Sequence, residues 1–244
     1  MQRREFLTVL GASVAVGWAP GLVRLAHAEP EIITTHFDPA VDSGGRTIRA
    51  AYRIRRKGPT VFQASLHVAA KETSAPETLV TVYQSTFAYK NGVYTPLAAR
   101  EACSRRIRHQ GAQKVATTLL FDHAAGRVAM QDTRAKTVRS MRFEERDQTL
   151  FLLLARAVGG GLRPGDYPCV LAPSAHRLVR ATVQVREDNG GVLITAPGDS
   201  LGGGGEVDDM ILGWSPGPDR PKLRIRMPGL DDVTLAEKDQ DADG

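Results

Sequence analysis

The chain alternates apolar and polar residues over most of its length, and this pattern predicts β strands. The clearest case is 60–71, where Phe62, Leu66 and Val68 fall on one face and Gln63 falls on the other. A period of two is typical of a strand with one buried face. Before residue 144 the pattern predicts seven strands, at 46–56, 60–71, 78–89, 100–109, 114–121, 127–132 and 137–143.

One segment departs from this alternation and predicts a helix. Residues 148–158 are almost all apolar, Asp147 stands where a cap is expected, and the three glycines at 159–161 follow. The alternation then resumes and predicts further strands at 177–187, 192–196, 208–214, 223–227 and 233–237. The predicted fold class is therefore mainly β with one principal α-helix.

A helix that is apolar nearly all round must be covered on several sides. We therefore expect a strongly curved antiparallel sheet, or a half-barrel, that wraps the helix at about 148–158. A curved sheet of this kind can enclose an apolar cavity for a ligand. The residues expected to line the cavity are Phe62, Leu66, Val68, Leu119, Val183 and Leu223.

The first 28 residues have the features of a cleavable export signal. Arg3 and Arg4 precede a Phe-Leu pair, as in signals that the twin-arginine export machinery reads, and a Sec-type signal is the alternative. A short apolar run then leads to a small-x-small pattern at 26–28, and this run is too short to span a bilayer. We expect a twin-arginine-type signal peptide at 1–28 and a periplasmic product with no transmembrane anchor.

Length and composition bound the domain organisation. The chain has 244 residues, of which 42% are hydrophobic and 24% charged, a balance that suits one soluble β domain. We expect an N-terminal extension at 29–45, a single β-rich domain at 46–238 and a disordered acidic tail at 239–244.

Positive charge is concentrated in two groups of arginines. The formal net charge is +5, and the two groups are Arg53 with Arg55, and Arg105 with Arg106 and Arg108. They could contact the anionic headgroups of lipids, or they could form solvated strand faces that resist aggregation. Aromatic residues are not interleaved with them, and nucleic acid is not an expected partner in the periplasm.

The two cysteines leave two alternatives open. In an oxidising compartment Cys103 and Cys169 can form one disulfide, and otherwise they are two buried thiols. Their spacing matches neither a C-x-x-C redox motif nor a zinc site.

No group of residues in the sequence predicts catalysis. Residues 198–201 spell the Gly-Asp-Ser-Leu motif of an esterase and lipase family, but the motif lies late in the chain and no histidine follows His176. The other histidines lack the spacing of metal ligands. We therefore expect no catalytic residues, no metal site and no cofactor.

The order of several short motifs resembles a known family. An apolar helix ending in Arg156, the turn at 162–166 and the closing motifs at 211–215 and 220–222 are similar to those of bacterial periplasmic proteins of domain of unknown function family 3108. The resemblance implies an antiparallel sheet curved around a helix, close in shape to the lipoprotein-carrier half-barrels LolA and LolB. The family has no established catalytic residues, so none is transferred.

These observations lead to one main hypothesis of function. The chain is expected to be a non-catalytic periplasmic protein that binds a hydrophobic or lipid ligand of the cell envelope. The alternative is an envelope accessory or scaffold protein that binds a partner protein. A remote alternative is an acyl-ester hydrolase that uses Ser200.

Overall fold

The computed structural model describes most of the chain from residue 29 onward. The described residues are 29–72, 77–107, 113–133, 138–174, 177–201, 208–217, 219–227 and 230–239. The predicted signal at 1–28 with Arg3 and Arg4, the residue Arg108 and the tail beyond 239 lie outside the described residues. Of Arg105 and Arg106 only the backbone is described.

The first half of the chain forms a nine-stranded antiparallel sheet. From β2 onward each strand pairs with the next in sequence, as in successive hairpins. They are β1 (Thr34–His36), β2 (Ala40–Val41), β3 (Arg46–Arg56), β4 (Val61–Glu72), β5 (Glu77–Lys90), β6 (Val93–Ile107), β7 (Gln113–Asp122), β8 (Arg127–Asp132) and β9 (Val138–Arg142). Strands β1 and β2 both pair with β3, and β9 forms the opposite edge.

The second half forms a six-stranded antiparallel sheet in which each strand pairs with the next. Its strands are β10 (Gly165–Ser174), β11 (Arg177–Asp188), β12 (Gly191–Ala196), β13 (Met210–Ser215), β14 (Lys222–Met227) and β15 (Leu230–Ala236). The sequence pattern did not predict β1, β2 or β10. Residues 29–45, expected to be an extension, therefore contribute two short strands to the first sheet.

The helix α1 (Leu150–Val158) lies between the two sheets, in contact with β4, β5 and β6 on one side and with β10, β12 and β13 on the other. Six of its nine residues are buried. A second helix, α2 (Gly198–Leu201), is a single turn. The predicted fold class is confirmed: the described chain is mainly antiparallel β with one principal helix, and its sheets do not close into a barrel. The strands are divided between two sheets that together cover the helix.

The alternation of side chains places the core between the sheets. On β4, Phe62, Leu66 and Val68 share one face of the strand, as predicted, and all three are buried in the core. The hairpin between β5 and β6 turns at Asn91 and Gly92, which both have positive φ, as the tight primed turns of hairpins require. One continuous core joins both sheets and the helix.

Two isolated bridges lie outside the strands, one between the ends of β1 and β15 and one between the segment before α1 and β10. Phe37 pairs with Glu237 in an antiparallel bridge, and Gln148 pairs with Cys169 in a parallel bridge. No helix within the described ranges is long and apolar enough to cross a membrane.

The structure changes the predicted start of α1. The helix is capped by Thr149, whose hydroxyl oxygen accepts a hydrogen bond from the amide of Leu152 at 3.3 Å. Asp147, expected to be the cap, is buried and accepts hydrogen bonds from Arg180 of β11 instead. Because Asp147 lies two residues before the cap, it fixes the approach to the helix and joins it to the second sheet.

Candidate functional site

A cleft opens between the two sheets beside the start of α1. Its volume is about 260 Å³. The first sheet contributes residues of β5, β6 and β7, and the opposite wall comes from β10, α2, β13 and the first turn of α1. The cleft therefore lies between the two sheets at the point where α1 begins. We call it the inter-sheet cleft.

Most of the lining of the inter-sheet cleft is apolar. Leu119 of β7 lies on the first sheet, and Val170 and Met210 lie on the second. The ring of Phe151, which α1 leaves partly exposed, stacks on the ring of Tyr83 with 4.3 Å between their centroids. This aromatic pair closes the helix side of the cleft, and it adds stabilisation beyond the area that it buries.

Most polar groups of the cleft wall lie in one strip, and Arg100 and Thr149 line the cleft outside it. Strand pairing places Tyr83, Glu101 and Thr117 side by side on β5, β6 and β7, and it places Cys103 beside Thr81. The hydroxyl of Thr117 donates a hydrogen bond to Asp132 at 2.8 Å. Glu101 is the acidic residue of the strip. An apolar site with a few convergent polar groups is the usual form of a ligand site.

Glu101 is the electrostatically unusual group of the site. Its side chain keeps contact with solvent, but the surrounding cleft walls remove part of its hydration, which raises the pKa of the carboxyl from 4.5 to about 7. Among the described residues no hydrogen bond or ion pair compensates it. Burial also raises the pKa of Tyr83, and Glu101 and Cys103 contribute to that rise. Near neutral pH the Glu101 carboxyl can therefore donate or accept a hydrogen bond.

The structure places the six residues that were predicted to line a cavity in different surroundings. Leu119 lines the inter-sheet cleft. Val68 is buried and borders a separate furrow on the outer face of the first sheet. Phe62, Leu66, Val183 and Leu223 are packed in the core and border neither concavity.

The predicted headgroup contacts are only partly described. Arg53 and Arg55 lie on the outward face of β3, away from the inter-sheet cleft. Arg55 donates to the side-chain oxygen of Gln63 at 2.9 Å, and Arg53 is exposed. The side chains of Arg105, Arg106 and Arg108 are outside the described part, so the second group stays a prediction.

Both cysteines are free thiols in the structure, which therefore contains no disulfide between Cys103 and Cys169. Cys169 is fully buried, and burial raises the pKa of its thiol well above the usual range, with Asp147 adding to the rise. Cys103 is only partly buried and forms part of the cleft wall.

The esterase-like motif forms the single turn α2. The hydroxyl of Ser200 donates to Asp199 at 3.4 Å, and the amide of Gly198 donates to Asp209. Within the described ranges no histidine contacts Ser200, and no group of three metal-ligand side chains is present.

Sequence reasoning missed Glu101 and Tyr83. The available signal was the alternation of side chains along the strand. Glu101 and Cys103 share one face of the predicted strand at 100–109, while Arg100 and Ser104 share the other. Alternation alone cannot show that the face carrying the Glu101 carboxyl is the inner one. That assignment depends on the pairing of β6 with β5 and β7.

The fold and site define an open, two-sheet antiparallel β protein with an enclosed helix and a mainly apolar cleft that Glu101 lines. The chain resembles a solved β-barrel-like protein of domain of unknown function family DUF1849 from Brucella abortus. That structure has a TM-score of 0.51 and 14% identity, and the match covers 87% of this chain and all of that chain. The similarity extends to the fold alone.

A second structure, immune modulator A of Aeromonas veronii, matches with a TM-score of 0.25 and 9% identity over 86% of this chain and 95% of its own. A similarity of that size carries no argument. No family model matches the chain, and no curated protein matches it. Membership of family 3108 therefore stays a prediction.

Proposed function

We propose that this chain is a non-catalytic binding protein of the cell envelope that holds a small amphipathic molecule in the inter-sheet cleft. The apolar part of the ligand packs between Leu119, Phe151 and Met210. Its cationic or hydrogen-bonding head group contacts Glu101. The observation that carries the proposal is a carboxyl without a polar partner among the described residues, held in the wall of a cleft whose lining is mainly apolar.

The size of the cleft limits the ligand. Its volume of about 260 Å³ is just below the ~300–1,000 Å³ of sites for drug-sized molecules. A diacyl lipid is too large to enter with both chains. The proposed ligand is therefore a small aromatic molecule or a single alkyl chain with one polar head.

The proposed location is the periplasm. The arginine pair and the cleavage pattern in residues 1–28 support export through the twin-arginine machinery. Mass spectrometry of the protein recovered from a bacterial periplasmic fraction tests this proposal. We expect a chain that begins at Glu29. An unprocessed chain retained in the cytoplasm would contradict the proposed export.

Ligand entry is testable with N-phenyl-1-naphthylamine, an uncharged probe that fluoresces in apolar sites. Cys103 and Ser104 are neighbours on β6 that point to opposite faces of the sheet, and only Cys103 lines the cleft. Cys103→Trp should fill the cleft and reduce probe binding at least about tenfold, and Ser104→Trp should leave it within about twofold. Equal binding by both variants would contradict the proposal, provided that circular dichroism shows both folded.

The role of Glu101 is testable by competition with that probe. At pH 8 the carboxyl is mainly ionised, because its pKa is about 7. Dodecylamine should then displace the probe at a lower concentration than dodecanoate, and Glu101→Gln should reduce this preference by about threefold to fivefold. A preference that the substitution leaves unchanged would place the head group elsewhere.

A further inference from the structure

A second concavity lies on the opposite, outward face of the first sheet. It is a furrow of about 780 Å³, and we call it the outer furrow. Its floor and one side come from outward residues of β1, β3, β4 and β5, and its other side comes from residues 237–239. The segment after β15 reaches this place because the amide of Lys238 donates to the carbonyl of His36 at 2.7 Å.

Strand pairing explains the shape of the outer furrow. His36, Ala51 and His67 are paired in one row across β1, β3 and β4. The two imidazoles flank the small Ala51 with roughly 10 Å between their strands, which is two strand spacings. Ala69 and Val80 continue the floor in the adjacent row. The furrow thus has an apolar floor between two polar walls.

Three side chains of the outer furrow, Arg49, His36 and His67, have no polar partner among the described residues. Arg49 is exposed, lies about 7 Å along β3 from Ala51, and makes no hydrogen bond or ion pair with a described residue. The side chains of His36 and His67 likewise make no hydrogen bond or ion pair with a described residue. By contrast, Arg224 is bound by Asp232 at 2.6 Å.

Two carboxylates also border the outer furrow, and their positions matter for any anion. Asp239 lies 4.0 Å from Arg220, which partly neutralises it. Glu237 lines the same edge of the furrow. An anion is therefore best placed over Ala51, between the two imidazoles and near the Arg49 guanidinium.

We propose that the outer furrow binds a small molecule in which a phosphate group adjoins an apolar body. The phosphate sits over Ala51 between His36 and His67 and accepts hydrogen bonds from Arg49. The apolar body covers Ala69 and Val80. A guanidinium and imidazole N–H groups around one point suit the several oxygens of a phosphate. The furrow is concave, so a small molecule reaches its floor and a flat membrane surface does not.

The test is isothermal titration calorimetry of the full chain with 1-naphthyl phosphate. Binding should exceed that of 1-naphthol and of inorganic phosphate at least about tenfold, because each of these lacks one half of the recognised chemistry. Arg49→Gln should weaken binding about tenfold. Arg53→Gln is the matched control, since Arg53 is exposed on the same face of β3 but outside the furrow, and it should change binding by less than about twofold.

A gain of affinity provides a result that misfolding cannot imitate. Glu237→Gln removes the unfavourable carboxylate and should strengthen binding about twofold. The proposal is overturned if Arg53→Gln weakens binding as much as Arg49→Gln. It is also overturned if 1-naphthoate binds as tightly as 1-naphthyl phosphate, or if the protein binds phosphatidylglycerol vesicles but not 1-naphthyl phosphate.

Discussion

Glu101, which lines the inter-sheet cleft and keeps contact with solvent, differs from the buried acidic side chains of the fold. Asp147 is bound by Arg180, and Asp42 accepts hydrogen bonds from the backbone and side chain of Arg46. Asp132 accepts from Thr117. A buried or half-buried carboxylate is normally compensated in this way. Glu101 has no such partner among the described residues, so its desolvation is an energetic penalty that the fold bears and that a ligand can relieve.

This penalty predicts a pH-dependent stability. Because the folded chain raises the pKa of Glu101 from 4.5 to about 7, its contribution to the free energy of unfolding is greatest below pH 4.5 and is lost as the pH rises to about 7. Glu101→Gln removes this titration. We expect the melting temperature of the variant, relative to the wild type, to be higher at pH 8 than at pH 4.5. Thermal unfolding followed by circular dichroism measures this, and a difference that is independent of pH would contradict it.

At the scale of elements, the start of α1 is fixed by Thr149. Its hydroxyl accepts the amide hydrogen of Leu152, and its oxygen lies 3.2 Å from the hydroxyl oxygen of Ser85 on β5. The cap therefore also joins the helix to the first sheet. Since Thr149 is buried, loss of the hydroxyl leaves polar groups that water cannot readily satisfy.

Thr149→Ala should lower the free energy of unfolding by about 1–2 kcal/mol, the usual range for loss of a helix cap. Thr149→Ser retains the hydroxyl and should lower it by less than about 1 kcal/mol. Urea denaturation of both variants provides the measurement. Equal losses for Ala and Ser would mean that the methyl group, and not the cap, stabilises this site.

The strands with clear alternation were predictable from the sequence. The predicted bounds at 46–56 and 127–132 coincide with β3 and β8. Strand β10 was missed because prolines interrupt its pattern, and only its pairing with β11 makes it a strand. Strands β1 and β2 are three and two residues long, too short for a period of two to appear.

Contacts between distant residues account for what the sequence could not show. Asp147 and Arg180 are 33 residues apart, and only the folded chain shows that the carboxylate binds an arginine instead of capping a helix. The inter-sheet cleft likewise depends on where two sheets separate. Apolar residues such as Phe62 and Val183 were correctly expected to face inward, but the pattern cannot distinguish a packed core from a cavity wall.

At the scale of the molecule, the two sheets share one core. Trp214 of β13 contacts Phe37 edge to face and the ring of Tyr52 on β3, each with ring centroids 6.4 Å apart. The core also includes α1, which is covered from both sides. Neither sheet can lose its partner without exposing apolar surface, so the sheets should unfold together.

Cooperative unfolding is measurable through Trp214, because the chain has only two tryptophans and Trp18→Phe leaves one. Far-ultraviolet circular dichroism reports both sheets, and Trp214 fluorescence reports the boundary between them. We expect the same urea midpoint from both signals. Leu212→Ala, which opens a cavity at a fully buried position of the second sheet, should lower both midpoints equally through a loss of about 2–5 kcal/mol. If the fluorescence midpoint falls while much of the dichroism change remains at higher urea, the first sheet is stable alone and the shared core does not hold the molecule together.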